Sequence, residues 1–418
     1  MKLWGKYRLL LAALILLACS GCPNGDSPGN APGTLETAEY QSEHYRVQVV
    51  GYKLNEKHQE IAREGALLME KMFDVYAALE EIPLPPGSVM PIWLHLSRSE
   101  YDRQAALYDF PPGMTTGFCN VDGEVHLYYK FIARLDPKST MMHEGFHQYC
   151  HRAIHLPTPP EVFQMVPGYS RRKLTTVPLW LNEGMAMNME TGTLQTDHNG
   201  IAISIDNIGA VNRDRLKQLC QLIESGRCPS VRSIMNMVMG DQLTSNEYAA
   251  MWGIVFDLRM ATGNAIFIRE QKELERAGPQ AVAEAIRAAT DPYQPYPYMR
   301  WPVPLTGRFL RACRVAWGLD VPSLVQYCAQ GANSPRDFDR QWNRKLTQAA
   351  LEEVEKLLRD QGQTLEEWEA DWQRRMLALN AEVRKGRYVY VEPANIASTT
   401  RKMSSGAASG RGKTGVWD

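Results

Sequence analysis

The sequence predicts an α+β fold, with a small twisted sheet lying over one central helix and a mainly helical C-terminal half closing the cleft. Three observations carry this expectation. Polar and apolar residues alternate from Tyr45 to Val50, as a half-buried strand requires, and further strand-like runs follow at Pro91 to Leu96 and Val121 to Tyr129. Helical spacing appears between and after them, in 56–82 and again from Pro137. From about Leu216 onward the patterns are mostly helical, including Tyr248 to Met260, Arg308 to Trp317 and Leu351 to Leu377.

Each element has a local reason. Ile61, Leu68, Met72, Val75, Leu79 and Ile82 recur on one face of a long helix that Pro83 ends. Asp122-Gly123 supplies a turn signal for the third strand run. Asp136 and Pro137 supply an N-cap and a first-turn proline for a helix running to about Ile154.

With 418 residues, 44% of them hydrophobic, the chain can bury a sizeable core. Its 46 basic and 47 acidic residues leave a net charge of -1, so nothing in the charge balance supports nucleic-acid binding. Lys2, Lys6 and Arg8 precede an apolar run from Leu9 to Ala18, the pattern of a secretory signal peptide over residues 1–18. That run is shorter than the roughly 20 residues a membrane span needs. Leu16-Leu17-Ala18-Cys19 resembles the lipobox of bacterial lipoproteins, which implies lipidation at Cys19 and an exported, membrane-anchored protein of the cell envelope. Cys22 follows a poorer triplet, and Ser20 resembles the residue found in lipoproteins released to a Gram-negative outer membrane.

Residues 19–40 read as a flexible tether, 41–378 as the folded domain (an α/β part to about 210, a helical part from 211), and 379–418 as a mostly disordered tail. Export would let Cys119, Cys150, Cys220, Cys228, Cys313 and Cys328 oxidise. The short separations favour Cys220 with Cys228 and Cys313 with Cys328, and buried free thiols fit equally well.

The strongest chemical signal is His143-Glu144-Gly145-Phe146-His147, the HExxH pattern. Histidines four apart share a helical face and can reach one ion, while the intervening carboxylate can take a proton from zinc-bound water. Chance occurrence in a chain of this length is on the order of one in a hundred, so context decides. Met142, Phe146, Tyr149 and Ala153 form an apolar stripe that fixes the helix, and Gly145 costs about 1 kcal/mol of helix propensity relative to alanine, tolerable if another backbone must pass close to the site. A catalytic zinc needs one more protein ligand. Cys150 and Ala153 occupy the places where a metzincin carries glycine and histidine, whereas Glu183 sits in the apolar segment Pro178 to Ala186, where an unpaired carboxylate would be costly.

Trp180-Leu181-Asn182-Glu183-Gly184 together with the HExxH resembles the gluzincin metallopeptidases, in particular uncharacterised secreted bacterial proteins of the MA-type group. The resemblance implies a gluzincin-like zincin fold, Zn²⁺ as cofactor, and His143, His147 and Glu183 as its ligands. It further implies Glu144 as general base, Tyr248 as oxyanion stabiliser, and a peptide or protein as substrate. Thirty-five residues separate His147 from Glu183, which implies an inserted loop through Pro157 to Lys173. Met187 stands where an outer acid would be expected, with Glu190 available on the same face. Gly117-Phe118-Cys119-Asn120 lies where aminopeptidases carry Gly-x-Met-Glu-Asn, without the glutamate, so aminopeptidase specificity is not supported. The strand from Glu124 to Tyr129 would be the edge that pairs with substrate. His151 and His155 continue the four-residue spacing and read as packed or solvated side chains, not ligands. Two other readings stay open on the residues alone: a binding or scaffolding lipoprotein without turnover, and a zinc hydrolase of a cell-wall amide.

Overall fold

Alternating burial along the start of Tyr45–Gly51, and nearly continuous burial along Met90–His95, set up the sheet from which the rest of the molecule is built. The computed structural model describes residues 34–80, 87–130 (without 109, 111 and 114), 136–196, 202–258 (without 207, 240 and 242), 321–385 (without 361) and 390–391. The expected signal peptide, Cys19, Cys22, Cys313, the expected helix from Arg308 to Trp317 and most of the tail lie outside the described residues.

In chain order the first elements are β1 (Glu36–Gln41), β2 (Tyr45–Gly51), α1 (Glu56–Glu80), β3 (Met90–His95), α2 (Arg98–Ala106), β4 (Gly117–Cys119), β5 (Val125–Tyr128) and α3 (Pro137–Tyr149). A five-stranded mixed sheet has the order β1-β2-β3-β5-β4, with β2, β3 and β5 parallel and the two outer strands antiparallel to their neighbours. The fold is therefore mixed α+β, with a small mixed sheet. β1 starts at Glu36, inside the stretch read as tether.

One sheet face, carrying Val47, Val49, Ile92, Leu94, Val125 and Leu127, is buried in the main core with α1 and α3. Each such side chain contributes roughly 1.5–3 kcal/mol on burial. The buried face of α1 runs through Ala62, Ala66, Met69, Met72 and Tyr76, so Ile61 and Val75 sit at its margin and not at its centre. Small alanines and flexible methionines let α1 approach α3, and Tyr76 Oη donates to Met142 O at 2.7 Å. The nearest neighbours of a Cβ on Gly145 would be side chains of α1 and not the backbone expected to pass there, Met69 Cε first and Tyr76 Oη at 3.1 Å.

The other sheet face is covered by α2. His95 and His126 face each other there, Nε2 to Nδ1 at 3.1 Å, with His126 stacked on Phe118 and the Tyr101 ring beside His95. Burial pushes each imidazole down to about 4, reinforced at His95 by His126 and Arg103 and opposed there by Glu100. Glu124 stands 3.8 Å from His126 Nε2. Both folded values lie below the ordinary 6.5, so the unfolded chain takes up protons first as pH falls. The stabilisation from keeping the pair neutral is complete above about pH 6.5 and is lost toward pH 4, on the order of 3 kcal/mol per histidine. Unfolding free energy from urea titrations should fall across that window, and His126→Asn should flatten the slope by about one proton. An unchanged slope would mean that His126 is not held neutral.

α3 begins as expected: Asp136 Oδ1 accepts from Lys138 N at 2.9 Å, and Pro137 opens the first turn. It does not run uniformly to Ile154. Cys150–Ile154 is wound as a π-helix, and Lys173 Nζ donates to the carbonyls of His151 and Arg152 at 2.6 and 2.8 Å. The segment from Pro157 to Lys173 is a structured unit in place of an open loop. β6 (Leu156–Pro157) and β7 (Lys173–Leu174) pair around α4 (Pro160–Met165), and Val162, Val166 and Tyr169 form a second core with residues of two later helices.

The chain continues through α5 (Leu179–Met189), β8 (Thr193–Thr196), β9 (Ala202–Asp206), β10 (Val211–Asn212), α6 (Arg213–Glu224), α7 (Val231–Met235) and α8 (245–258). It ends in α9 (Val321–Gln330), α10 (Pro335–Asp360), α11 (Leu365–Arg384) and β11 (Tyr390–Val391). The helix expected from Leu351 to Leu377 is two helices. Gly362 takes a φ of 75°, and Thr364 with Glu367 forms a capping box that starts α11. Ordered structure passes the expected boundary at 378, since α11 reaches Arg384 and β11 pairs with β10.

Cys220 and Cys228 are not joined in the expected disulfide, and both are thiols, as are Cys119 and Cys328. Among the described residues no helix is long and apolar enough to cross a membrane.

Candidate metal centre

Two helices bring the candidate ligands together. α3 presents His143 and His147 one turn apart, and α5 lies alongside it with every residue buried except Glu183. Such a helix, apolar all round, must sit inside the protein. It is seated there by α8: a Cβ on Gly184 would meet Val255 Cγ2 at 2.4 Å and the Met251 carbonyl oxygen at 2.7 Å. α8 in turn is held by α11 through Trp372 Nε1 donating to Gly253 O (3.0 Å) and Arg375 bidentate to Asp257 (2.8 and 2.6 Å).

The Nε2 atoms of His143 and His147 are 3.1 Å apart; Glu183 Oε2 lies 3.4 Å from the first and Glu183 Oε1 3.6 Å from the second. His143, His147 and Glu183 thus form a candidate metal-binding triad, and no other such group occurs among the described residues. His147 Nδ1 and Glu183 Oε2 are buried without a hydrogen-bond partner, a costly state that coordination would relieve at the carboxylate.

Electrostatics point the same way. Burial alone would lower His143, yet the Glu183 and Glu190 carboxylates outweigh it and raise it well above the ordinary value. His147 is likewise raised against burial, by Glu183. Burial works against ionised Glu183 too, but the two imidazoles hold its carboxyl far below the usual range. Glu144, between the histidines, is 8% exposed, and burial pushes its carboxyl upward against their attraction. The pocket favours positive charge among its donors.

Around the triad, Glu190 Oε1 lies 2.8 Å from His143 Nδ1, and Glu190 is held in turn by Asn212 Nδ2 at 3.4 Å. Ser139 Oγ donates to the Glu190 carbonyl at 3.0 Å, tying α3 to the end of α5. Tyr248, on α8, comes within electrostatic reach: burial pushes its phenol upward, and Glu183 and Glu144 push the same way. β4 rests on α3 at this point, because a Cβ on Gly117 would lie 2.6 Å from Thr140 Cγ2 and 3.0 Å from Glu144 Cγ.

The edge strand differs from expectation. β5 (Val125–Tyr128) is interior, paired on one side with β3 and on the other with β4. β4 is the edge among the described strands, where its three residues close the antiparallel hairpin with β5 and end the order. His151 and His155 stay out of the triad: His151 Nε2 lies 2.9 Å from Val121 O, and His155 Nδ1 lies 3.4 Å from Thr176 Oγ1. Sequence reading did not single out Asn212 or Arg215. Asn212 carries a legible signal as an N-cap before a helical run, whereas nothing local marks Arg215.

Fold and site together define a class, an α+β protein with a candidate metal-binding triad on two adjoining helices. Within it, residues 163–279 match the family described as "Protein of unknown function (DUF1570)". The matched stretch contains Glu183, Glu190, Arg215 and Tyr248 and begins after His147. No match is found among curated proteins.

Proposed function

We propose that this protein is a zinc-dependent peptidase of gluzincin type, exported and anchored to the membrane through Cys19. The observation that carries the reading is the donor spacing. Ligands about 2.0–2.1 Å from a tetrahedral zinc lie roughly 3.3 Å from one another. The two imidazole nitrogens are 3.1 Å apart, and the Glu183 carboxylate brings one oxygen to 3.4 Å from the first and its other oxygen to 3.6 Å from the second, spacings of that order. Two imidazoles and one carboxylate form a donor set of the open, catalytic kind.

Zinc held by His143, His147 and Glu183 would supply a Lewis acid that polarises a carbonyl and acidifies water. Glu144 takes a proton from the attacking water and passes it to the departing amine. The raised carboxyl of Glu144 suits both halves of that exchange. Tyr248 donates a hydrogen bond to the oxygen where negative charge develops. Glu190 fixes the ring of His143. An extended peptide pairs along β4. Thr116 O and Asn120 N bond to the β5 side, so by strand alternation the amide and carbonyl of Cys119 point to the open edge.

The test is metal analysis of the purified protein beside cleavage of a peptide library and of peptidoglycan fragments, with and without a chelator. Chelator-sensitive peptide cleavage at one zinc per chain is expected. Zinc binding without any turnover would favour a scaffold, and cleavage of peptidoglycan alone a cell-wall hydrolase. Glu190→Ala should weaken zinc affinity by about 10–100-fold in a competition titration, the usual effect of losing a group that orients a ligand. No change in affinity would remove Glu190 from the site.

A further inference from the structure

Resting on the peptidase reading above, we propose that Arg215 is a specificity-determining residue that binds a carboxylate of the substrate peptide close to the hydrolysed bond.

Arg215 lies in the first turn of α6, which Asn212 caps by accepting from Arg215 N at 3.2 Å. The same Asn212 holds Glu190, so this turn is docked against the metal-facing residues. The Arg215 guanidinium stands 3.9 Å from Glu190 Oε1, beyond hydrogen-bond reach, and that oxygen is already engaged by His143 Nδ1 at 2.8 Å. Its Cζ lies 5.6 Å from the centroid of the Tyr248 ring. The guanidinium therefore borders the site at two points, the residue that orients His143 and the residue proposed to stabilise the oxyanion.

What matters for this side chain is that, toward the described residues, its donors are unspent beside the site. Arginines that serve the fold here are bonded in full view: Arg375 forks onto Asp257 at 2.8 and 2.6 Å, and Arg98 onto Asp102 at 3.0 and 2.8 Å. Arg215 makes no side-chain hydrogen bond to any described residue, although its side chain is only 24% exposed. A planar fork of five donors, held against an aromatic face and partly withdrawn from water, is suited to bidentate capture of a carboxylate. Glu144, Glu183 and Glu190 would otherwise repel an anionic substrate group, so a cation at this rim decides whether one is admitted. An extended residue covers roughly 3.3–3.6 Å, which puts the recognised carboxylate within a residue or two of the cleaved bond. It is either the C-terminal carboxylate or an acidic side chain.

The experiment uses the full chain, zinc-loaded and carrying Glu144→Gln so that peptides are held without turnover. Three N-acetylated pentapeptide mixtures serve as probes: neutral with a free C-terminus, neutral with a C-terminal amide, and amidated with one Asp or Glu. Equilibrium binding should favour a carboxylate-bearing set over the neutral amide by at least about tenfold, the discrimination one charged hydrogen-bonded pair supplies. An advantage for the first set identifies a C-terminal carboxylate; an advantage for the third identifies a side chain. Adding Arg215→Gln should bring the sets to parity while leaving the neutral amide unchanged, and Arg215→Lys should restore part of the advantage. Equal binding of the three sets, no binding of any, or an advantage that survives Arg215→Gln overturns the proposal. In wild-type protein, turnover without carboxylate preference removes the Arg215 assignment alone, whereas carboxylate-selective binding without turnover removes the peptidase reading alone.

Discussion

Glu144→Gln should keep wild-type zinc content and lose peptide hydrolysis by roughly 10²- to 10⁴-fold, the usual contribution of a positioned general base. The substitution is isosteric at a crowded point. Gly117 of β4 packs against the Glu144 side chain, so glutamine retains the contact and a larger change would not. Glu144 is not one of the three grouped donors, hence the carboxylate can be removed without taking a ligand from the ion. Metal analysis and cleavage of a library-selected peptide, measured on the same preparation, separate binding from chemistry. Full activity in the variant would sink the mechanism.

His143→Ala, His147→Ala and Glu183→Ala should each lose both zinc and hydrolysis. Every one deletes one of the three proposed protein ligands, and zinc affinity should drop by more than the roughly 10–100-fold expected when an orienting group is lost. The order of effects is therefore a test of the geometry. Glu183→Ala must cost more zinc than Glu190→Ala, because Glu183 reaches both Nε2 atoms whereas Glu190 reaches only His143 Nδ1. The reverse order would make Glu190 the third ligand. Thermal unfolding with and without added zinc provides the control: the wild type should gain stability on loading and the ligand variants should gain little. Equal zinc-dependent stabilisation in all of them would place the metal elsewhere.

How much could be read in advance depended on how local the cause was. His143 and His147 share a face because four residues make about one helical turn. Asp136 and Pro137 announce that helix whatever surrounds it. Glu183 was legible for another reason: a carboxylate inside Trp180 to Met189, every other residue of which proves to be buried, needs a partner wherever the segment packs. The strand run at 45–50 is likewise legible from period-two alternation, and that at 91–96 as a short apolar run, the strand Met90–His95 being buried at all but one position.

Other features are settled by pieces of chain far apart in sequence. Which strand forms the edge depends on β4, three residues long and too short to show a period, so β5 looked like the edge until β4 was seen to cover it. The insert from Pro157 to Lys173 became a structured unit only through residues such as Phe338 and Trp342, far along the chain. The split between α10 and α11 turns on Gly362 and the Thr364 cap inside an otherwise continuous helical pattern.

By itself the sequence determined the HExxH helix, its two histidines and carboxylate, the distal glutamate and the α+β class, because helical period, capping and the cost of a buried charge act over a few residues. Only the tertiary structure decided that Glu183 closes a triangle with those histidines, that Glu190 turns His143 toward it, and that Arg215 and Tyr248 meet at its rim. Those distances arise where α3, α5, α6 and α8 pack together, and packing between separate helices leaves no periodic trace in any one of them.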